Sequence, residues 1–295
     1  MLQYAHLFTI CAAAIYDVAF AATAGLLLCR LWLGDVGEAV LRKSMQRCLV
    51  LVTTVMLLVL PLQIFLLAVS MTGADSWQLA WSSLPDVVSA HAGHALAISL
   101  CIIPLLCLSV LLSSRRIWLT WVQFILLLAI TIFRSSYGHA ASEGDFTLRE
   151  CLQLLHLTSI GVWAGGVVIA GFLIVPNLTR RNQHEQLIHF TARLSSTVTV
   201  ALVVVVVSGL YNSWQGLGHS LTSLTHSAWG VMLLVKTAVV VVTFAHGVRC
   251  RMLLQPGFST CRSRSMQRWM RSEALLMLLV LILSAWLANL PPADA

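Results

Sequence analysis

Residues 49–68, LVLVTTVMLLVLPLQIFLLA, run for twenty positions without a charged side chain. At about 1.5 Å of rise per residue, a helix of that length crosses the roughly 30 Å hydrocarbon core of a bilayer. Arg42, Lys43 and Arg47 stand just before it, and a basic flank of this kind stays on the cytoplasmic side of a membrane. The stretch reads as a transmembrane span that starts inside and ends outside.

Working outward, the same reading finds spans at approximately 3–30, 48–70, 88–112, 117–137, 151–175, 195–214, 227–248 and 272–290. With 59% hydrophobic and 10% charged residues, the chain has too little polar surface to cover a soluble globule of 295 residues. The expected fold class is all-α: a polytopic membrane protein, a bundle of eight transmembrane helices forming one domain over 1–295. The first apolar segment lacks a basic leader, is too long for a signal peptide, and carries Asp17 in its middle, so it is expected to be a retained span. Pro61 and Pro104 fall within spans two and three, where kinks are expected.

The connections after spans one, three, five and seven hold 15 of the 18 basic residues. Arg134 and Arg149 fall on the other side, and Lys236 lies inside span seven. Both termini are therefore expected outside. The net charge of +7 follows from this asymmetry and from anionic lipid at the inner leaflet, so it implies membrane lipid and no nucleic acid as partner.

Seven of the ten histidines then fall at or near the outer side: His6, His91, His94, His139, His156, His219 and His226. For His219 and His226 an interfacial contact with water or headgroups is the simpler reading. His91 and His94 are three apart and share a helical face. His139 and His156 flank one short polar connection, so both are brought to the outer surface. Neutral imidazole is a common ligand for copper, zinc, iron and nickel, and a site built from several helix ends is ordinary in a bundle. Asp75, Asp86, Glu143, Asp145 and Glu150 on the same side either draw a cation in or are solvated loop charges. The eight cysteines form no CxxC pair, hence no disulfide framework or zinc motif; Cys11 and Cys151 remain candidates for soft ligands.

Inside the bilayer, Asp17 and Lys236 lie at similar depths below the outer ends of their spans. A charge there needs a partner or water, and the pair is expected either to tie span one to span seven or to line a permeation route. Glu273 and Arg271 are expected to contact headgroups or a neighbouring helix. His246, Cys250 and Met252 could form an exit site for a soft cation.

The stretches YGHAASEGDF (137–146) and LLHLTSIGVWAGG (154–166), ARLSS around Arg193, Ser208-Gly209, Trp229-Gly230 with Lys236 downstream, and Glu273 ahead of Pro291-Pro292 resemble the copper resistance protein D family. The resemblance covers essentially the whole chain. It implies a multi-pass protein of the bacterial inner membrane that moves copper towards the cytoplasm with a periplasmic copper-binding partner of the C type. Copper would bind at His6, His139 and His156, with His94 and His91 as possible further ligands. Gly165 and Gly166 would allow close helix packing, and Trp163 would either wall the site or pack.

Three functions follow as alternatives. One is copper transport driven by a gradient or by hand-over, since no ATP-binding loop of the Walker type is visible. A second is a bis-histidine haem protein for electron transfer, in which His94 and His156 would face each other at equal depth. A third is a non-transporting sensor or assembly partner. No Ser-His-Asp arrangement or HExxH motif is visible, and no enzyme activity is expected.

Overall fold

The first helix, α1 (Leu2–Leu33), carries Ala12, Ala19, Ala21, Ala22, Ala24 and Gly25, and the bundle closes around it. Small residues let neighbouring backbones approach within the bilayer, where packing rather than water exclusion holds helices together. Across its span 72% of α1 is buried, more than any other span. The computed structural model describes residues 2–33, 39–74, 76–112, 117–137, 147–252 and 260–291. His139, Asp75, Glu143 and Asp145, with Gly138, Ala140 and Pro292 of the quoted motifs, lie outside the described residues.

The remaining helices are α2 (Ala39–Thr72), α3 (Trp77–Ser82), α4 (Leu84–Ser89), α5 (His91–Leu112), α6 (Ile117–Ser135), α7 (Leu148–Ile169), α8 (Val175–Arg180), α9 (His184–Gly216), α10 (Ser223–His226), α11 (Ala228–Met252) and α12 (Thr260–Ala288). All regular structure among the described residues is helical, and eight stretches are long and apolar enough to cross a membrane. The fold is the expected eight-span bundle. Helices α2 and α5 run on through Pro61 and Pro104. Helix α1 packs on α2, α6, α7 and α12, α7 also on α9, and α5 on α2 and α6. Helix α11 packs chiefly on α12 and α10, and only 6% of its span is buried.

Several helices outrun the spans read from hydropathy. Helices α2, α9 and α12 start about three turns earlier, at Ala39, His184 and Thr260. The added turns are rich in Arg, Gln and Lys, which are good helix formers that no apolar window detects. The connection between α2 and α5 forms two short helices. Ser76 caps α3 by accepting from the Leu79 amide, and Trp77 stacks on Phe65 of α2 with centroids 5.4 Å apart.

Between α7 and α8, residues Ala170–Ile174 form a π-helical turn. Pro176 lacks an amide for the Phe172 carbonyl and its ring would crowd that group, so the widened turn relieves the clash without ending the helix. Gly171 in this turn lies against α12: a Cβ there would come within 2.6 Å of the Met270 carbonyl oxygen. The turn thus sets how closely α12 seats on α7.

Candidate functional site

Helix α7 opens at Thr147, whose hydroxyl accepts from the Glu150 amide at 3.3 Å, as an N-cap side chain does. From that start the periodicity brings Gln153 and His156 to the side facing α9. Asn212 donates to Gln153 at 2.8 Å, and one turn deeper His156 Nδ1 lies 2.9 Å from Ser208 Oγ. The Ser208 hydroxyl donates to the Val204 carbonyl at 2.6 Å, so it accepts from the ring and His156 carries its proton on Nδ1. Nε2 keeps its lone pair. This arrangement, one imidazole nitrogen oriented by a hydrogen bond and the other left as a donor atom, is the one metal-ligating histidines adopt. Gly209 makes the approach possible, since a Cβ there would sit 3.1 Å from the imidazole Cε1.

The opposite side of α7 is dry. A Cβ on Gly165 would lie 1.8 Å from the Ala21 carbonyl oxygen, and one on Gly25 would lie 2.1 Å from that of Gly165. The two backbones are in direct contact. Gly161 meets the Phe20 ring, Gly166 meets Leu194 of α9, and Trp163 is buried. These glycines have a packing role: Gly161 and Gly165 seat α7 on α1, and Gly166 seats it on α9.

The charges in the apolar interior pair differently from the expectation. Asp17 binds Arg134 of α6 through a charge-assisted hydrogen bond, and the guanidinium also lies over the rings of Tyr16 at 5.0 Å and Phe20 at 5.9 Å. Arg134, read from sequence as a basic residue of the outer connection, is instead on the last turn of α6 with its side chain turned inward. Its length carries its charge to a partner in the interior, which offsets the cost of desolvation for both groups. Lys236 of α11 is half-buried, acts electrostatically on both Asp17 and His156, and makes no hydrogen bond or ion pair among the described residues.

The other expected ligands are dispersed. His6 on α1 and His94 on α5 are exposed, and His91 binds the Ser136 carbonyl at 2.8 Å, joining α5 to the end of α6. Helix α6 packs against both α5 and α7, whereas α5 and α7 are not among the closely packed helix pairs of the described residues. His219 adopts φ +62° with its ring against Trp214, and Cys11 and Cys151 are exposed. Among the described residues no three His, Cys, Asp or Glu side chains converge on one metal position. At the other end of the bundle Glu273 is buried in contact with Cys250, while Met252 is exposed. Sequence reading missed Ser208 as the partner of His156, although Ser208-Gly209 already stood out as a motif.

An eight-span helical bundle with an ion pair and an oriented imidazole between its helices defines a polytopic membrane protein. Residues 1–148 match the model described as Copper resistance protein D-like, N-terminal domain, and residues 188–287 match that of Copper resistance protein D. The chain belongs to the copper resistance protein D family. It is 26% identical over 249 residues to Copper resistance protein D of Pseudomonas syringae pv. tomato, covering 80% of each chain. It is 29% identical over 180 residues to Copper transport protein CutJ of Bacillus subtilis (strain 168), covering 61% of this chain and 32% of that one, so it spans about a third of that relative. No solved structure matches the chain.

Proposed function

We propose that the protein handles copper in the bacterial inner membrane, accepting the ion on the periplasmic side and passing it towards the cytoplasm. The observation that carries this reading is the His156–Ser208 pair, which leaves Nε2 as an oriented donor at the seam between α7 and α9. Imidazole is a suitable ligand for either copper oxidation state. The arginine-rich connections belong inside, which puts both termini and the entry to His156 on the periplasmic face. His6 and His139 would complete the first coordination, with His94 and His91 nearer the surface as capture sites. A copper-binding protein of the C type would deliver the ion there.

The interior charges fit the same role. Asp17 and Arg134 neutralise one another on the rigid side of the bundle, while Lys236 rides on the peripheral α11. A cation held at His156 would lie within the field of Lys236, so the charge of that lysine changes the energy of the bound ion. Transport, rather than catalysis, is the activity, driven by an ion gradient or by hand-over.

Copper uptake into proteoliposomes tests the reading, with wild type, His156→Ala and His139→Ala at matched insertion. Uptake in the wild type that falls to the protein-free level in His156→Ala is the expected result. Equal uptake by wild type and both variants would remove these imidazoles from the route, and no uptake by the wild type would end the transport reading.

A further inference from the structure

The half of the bundle near the arginine-rich connections contains a cavity of about 410 Å³, including its open mouth, between α7, α9, α11 and α12. Its walls bring together four groups that sequence separates. Met266, Met270 and Glu273 are spaced by four and three residues and share one face of α12. Gly247 and Cys250, three apart, face them from α11. The Cys250 thiol lies beside the Glu273 carboxylate. Gly247 makes room for that carboxylate, whose Oε1 stands 3.1 Å from the position of a Cβ on residue 247.

All four side chains are nearly withdrawn from solvent, with 1% exposure for Met266, 4% for Met270, and 5% for both Cys250 and Glu273. Glu273 brings a carboxylate into the wall of the cavity. A thiol and two thioethers beside it are soft donors, suited to a monovalent ion such as Cu(I) and poorly suited to Mg²⁺ or Ca²⁺. The backbone geometry supports the cluster: the π-helical turn and Gly171 seat α12 on α7 at Met270. On α11, the Trp229 ring lies over Gly216 of α9 near its first turn, and Arg249 stacks on Trp269 of α12 near its last, 4.9 Å from the ring centroid. The helix is thus anchored at both ends, with the cavity beside it.

We propose that this cavity is a second metal site, for Cu(I), with the Cys250 sulfur and the Met266 and Met270 thioethers as donors and Glu273 as the proton acceptor. The ion replaces the proton on Cys250, the Glu273 carboxylate beside that thiol takes the proton, and the thiolate balances the charge of the ion. His246, one turn before Cys250, packs its ring on Trp269 at 5.2 Å and stands outside the donor set, as does the exposed Met252. The identity of the ion rests on the copper reading above; the preference for a soft monovalent cation rests on the donors. On the route from His156, this is where an ion would change from nitrogen to sulfur coordination before leaving.

X-ray absorption of Cu(I) bound to the purified full chain tests the site, combined with competition against a Cu(I) chelator. Sulfur scattering is expected in the wild type and in His156→Ala. In Cys250→Ser the short thiolate–copper contribution is expected to be lost and the sulfur coordination number to fall, with affinity at this site at least about tenfold weaker. Met266→Leu with Met270→Leu preserves packing volume and the Cys250–Glu273 contact, so it tests the thioethers even if Cys250→Ser does not fold. Its sulfur coordination number should fall. Unchanged sulfur scattering and affinity in that double variant would overturn the thioether assignment, and the same result in Cys250→Ser would overturn the site. Sulfur-bound copper in a wild type that transports none would leave the site standing and sink only the transport reading.

Discussion

The two faces of α7 are built on opposite principles. Towards α1 it presents Gly161 and Gly165, and at Gly165 the two helices meet backbone to backbone. Towards α9 it presents Gln153 and His156, bonded to Asn212 and Ser208. The first seam is a frame, because contacts between backbones cannot be re-made a turn away. The second is a set of discrete hydrogen bonds that a ligand can replace one for one. One helix carries both seams and separates them onto opposite sides.

The largest effect is expected on the dry seam. Gly165→Leu would drive a side chain into the Ala21 backbone, where even a Cβ has no space. The expected cost is about 3 kcal/mol or more, the upper range for overpacking. Size-exclusion chromatography of the detergent-solubilised variant should show loss of the monodisperse species. A wild-type profile would mean that α1 and α7 can separate cheaply, and the distinction between the seams would collapse.

Next in size is the ion pair on the other side of α1. Arg134→Met leaves Asp17 without its partner, and because the two side chains keep 14% and 15% exposure the loss should be about 2–3 kcal/mol, below the range for a fully buried pair. Asp17→Asn combined with Arg134→Met should recover much of that loss, whereas Lys236→Met on the peripheral α11 should change thermal stability by less than about 1 kcal/mol. Thermal unfolding followed by tryptophan fluorescence measures all three. If Lys236→Met proves as damaging as Arg134→Met, α11 belongs to the frame.

The smallest structural effect is expected on the polar seam. Ser208→Ala removes one hydrogen bond, worth about 1 kcal/mol, and leaves the bundle intact. It also frees the His156 ring to turn, so copper affinity at this site should fall about tenfold, as for loss of an orienting partner elsewhere. Isothermal titration with copper separates the two outcomes. An unchanged affinity would remove the orienting role of Ser208.

Much of this architecture was legible in the chain. Uniform apolar runs such as 49–68 marked the spans, and the fold followed from their number. His156 stood out by its position and its motif, but its partner did not, because a serine in an apolar helix is as often bonded to its own backbone as to a neighbour. Asp17 and Lys236 matched in depth and suggested a pair. Depth is one coordinate only, and the rotation of α1 and α6 in the bundle gave the partner to Arg134 instead. The thioethers of α12 were hidden for the same reason: Met266 and Met270 belong to no motif, and only the placement of α11 sets a thiol opposite them.

Sequence by itself determined the eight crossings, because the bilayer acts on each segment independently and requires every span to satisfy its own backbone hydrogen bonds. It also carried the charge asymmetry that orients them. Which polar groups meet was decided only by the tertiary structure. Within the bilayer the hydrophobic effect no longer ranks one apolar face above another, so close packing at Gly25, Gly165 and Gly171 chooses each helix's rotation and neighbours. Those rotations bring Asp17 to Arg134, His156 to Ser208 and Cys250 to Glu273.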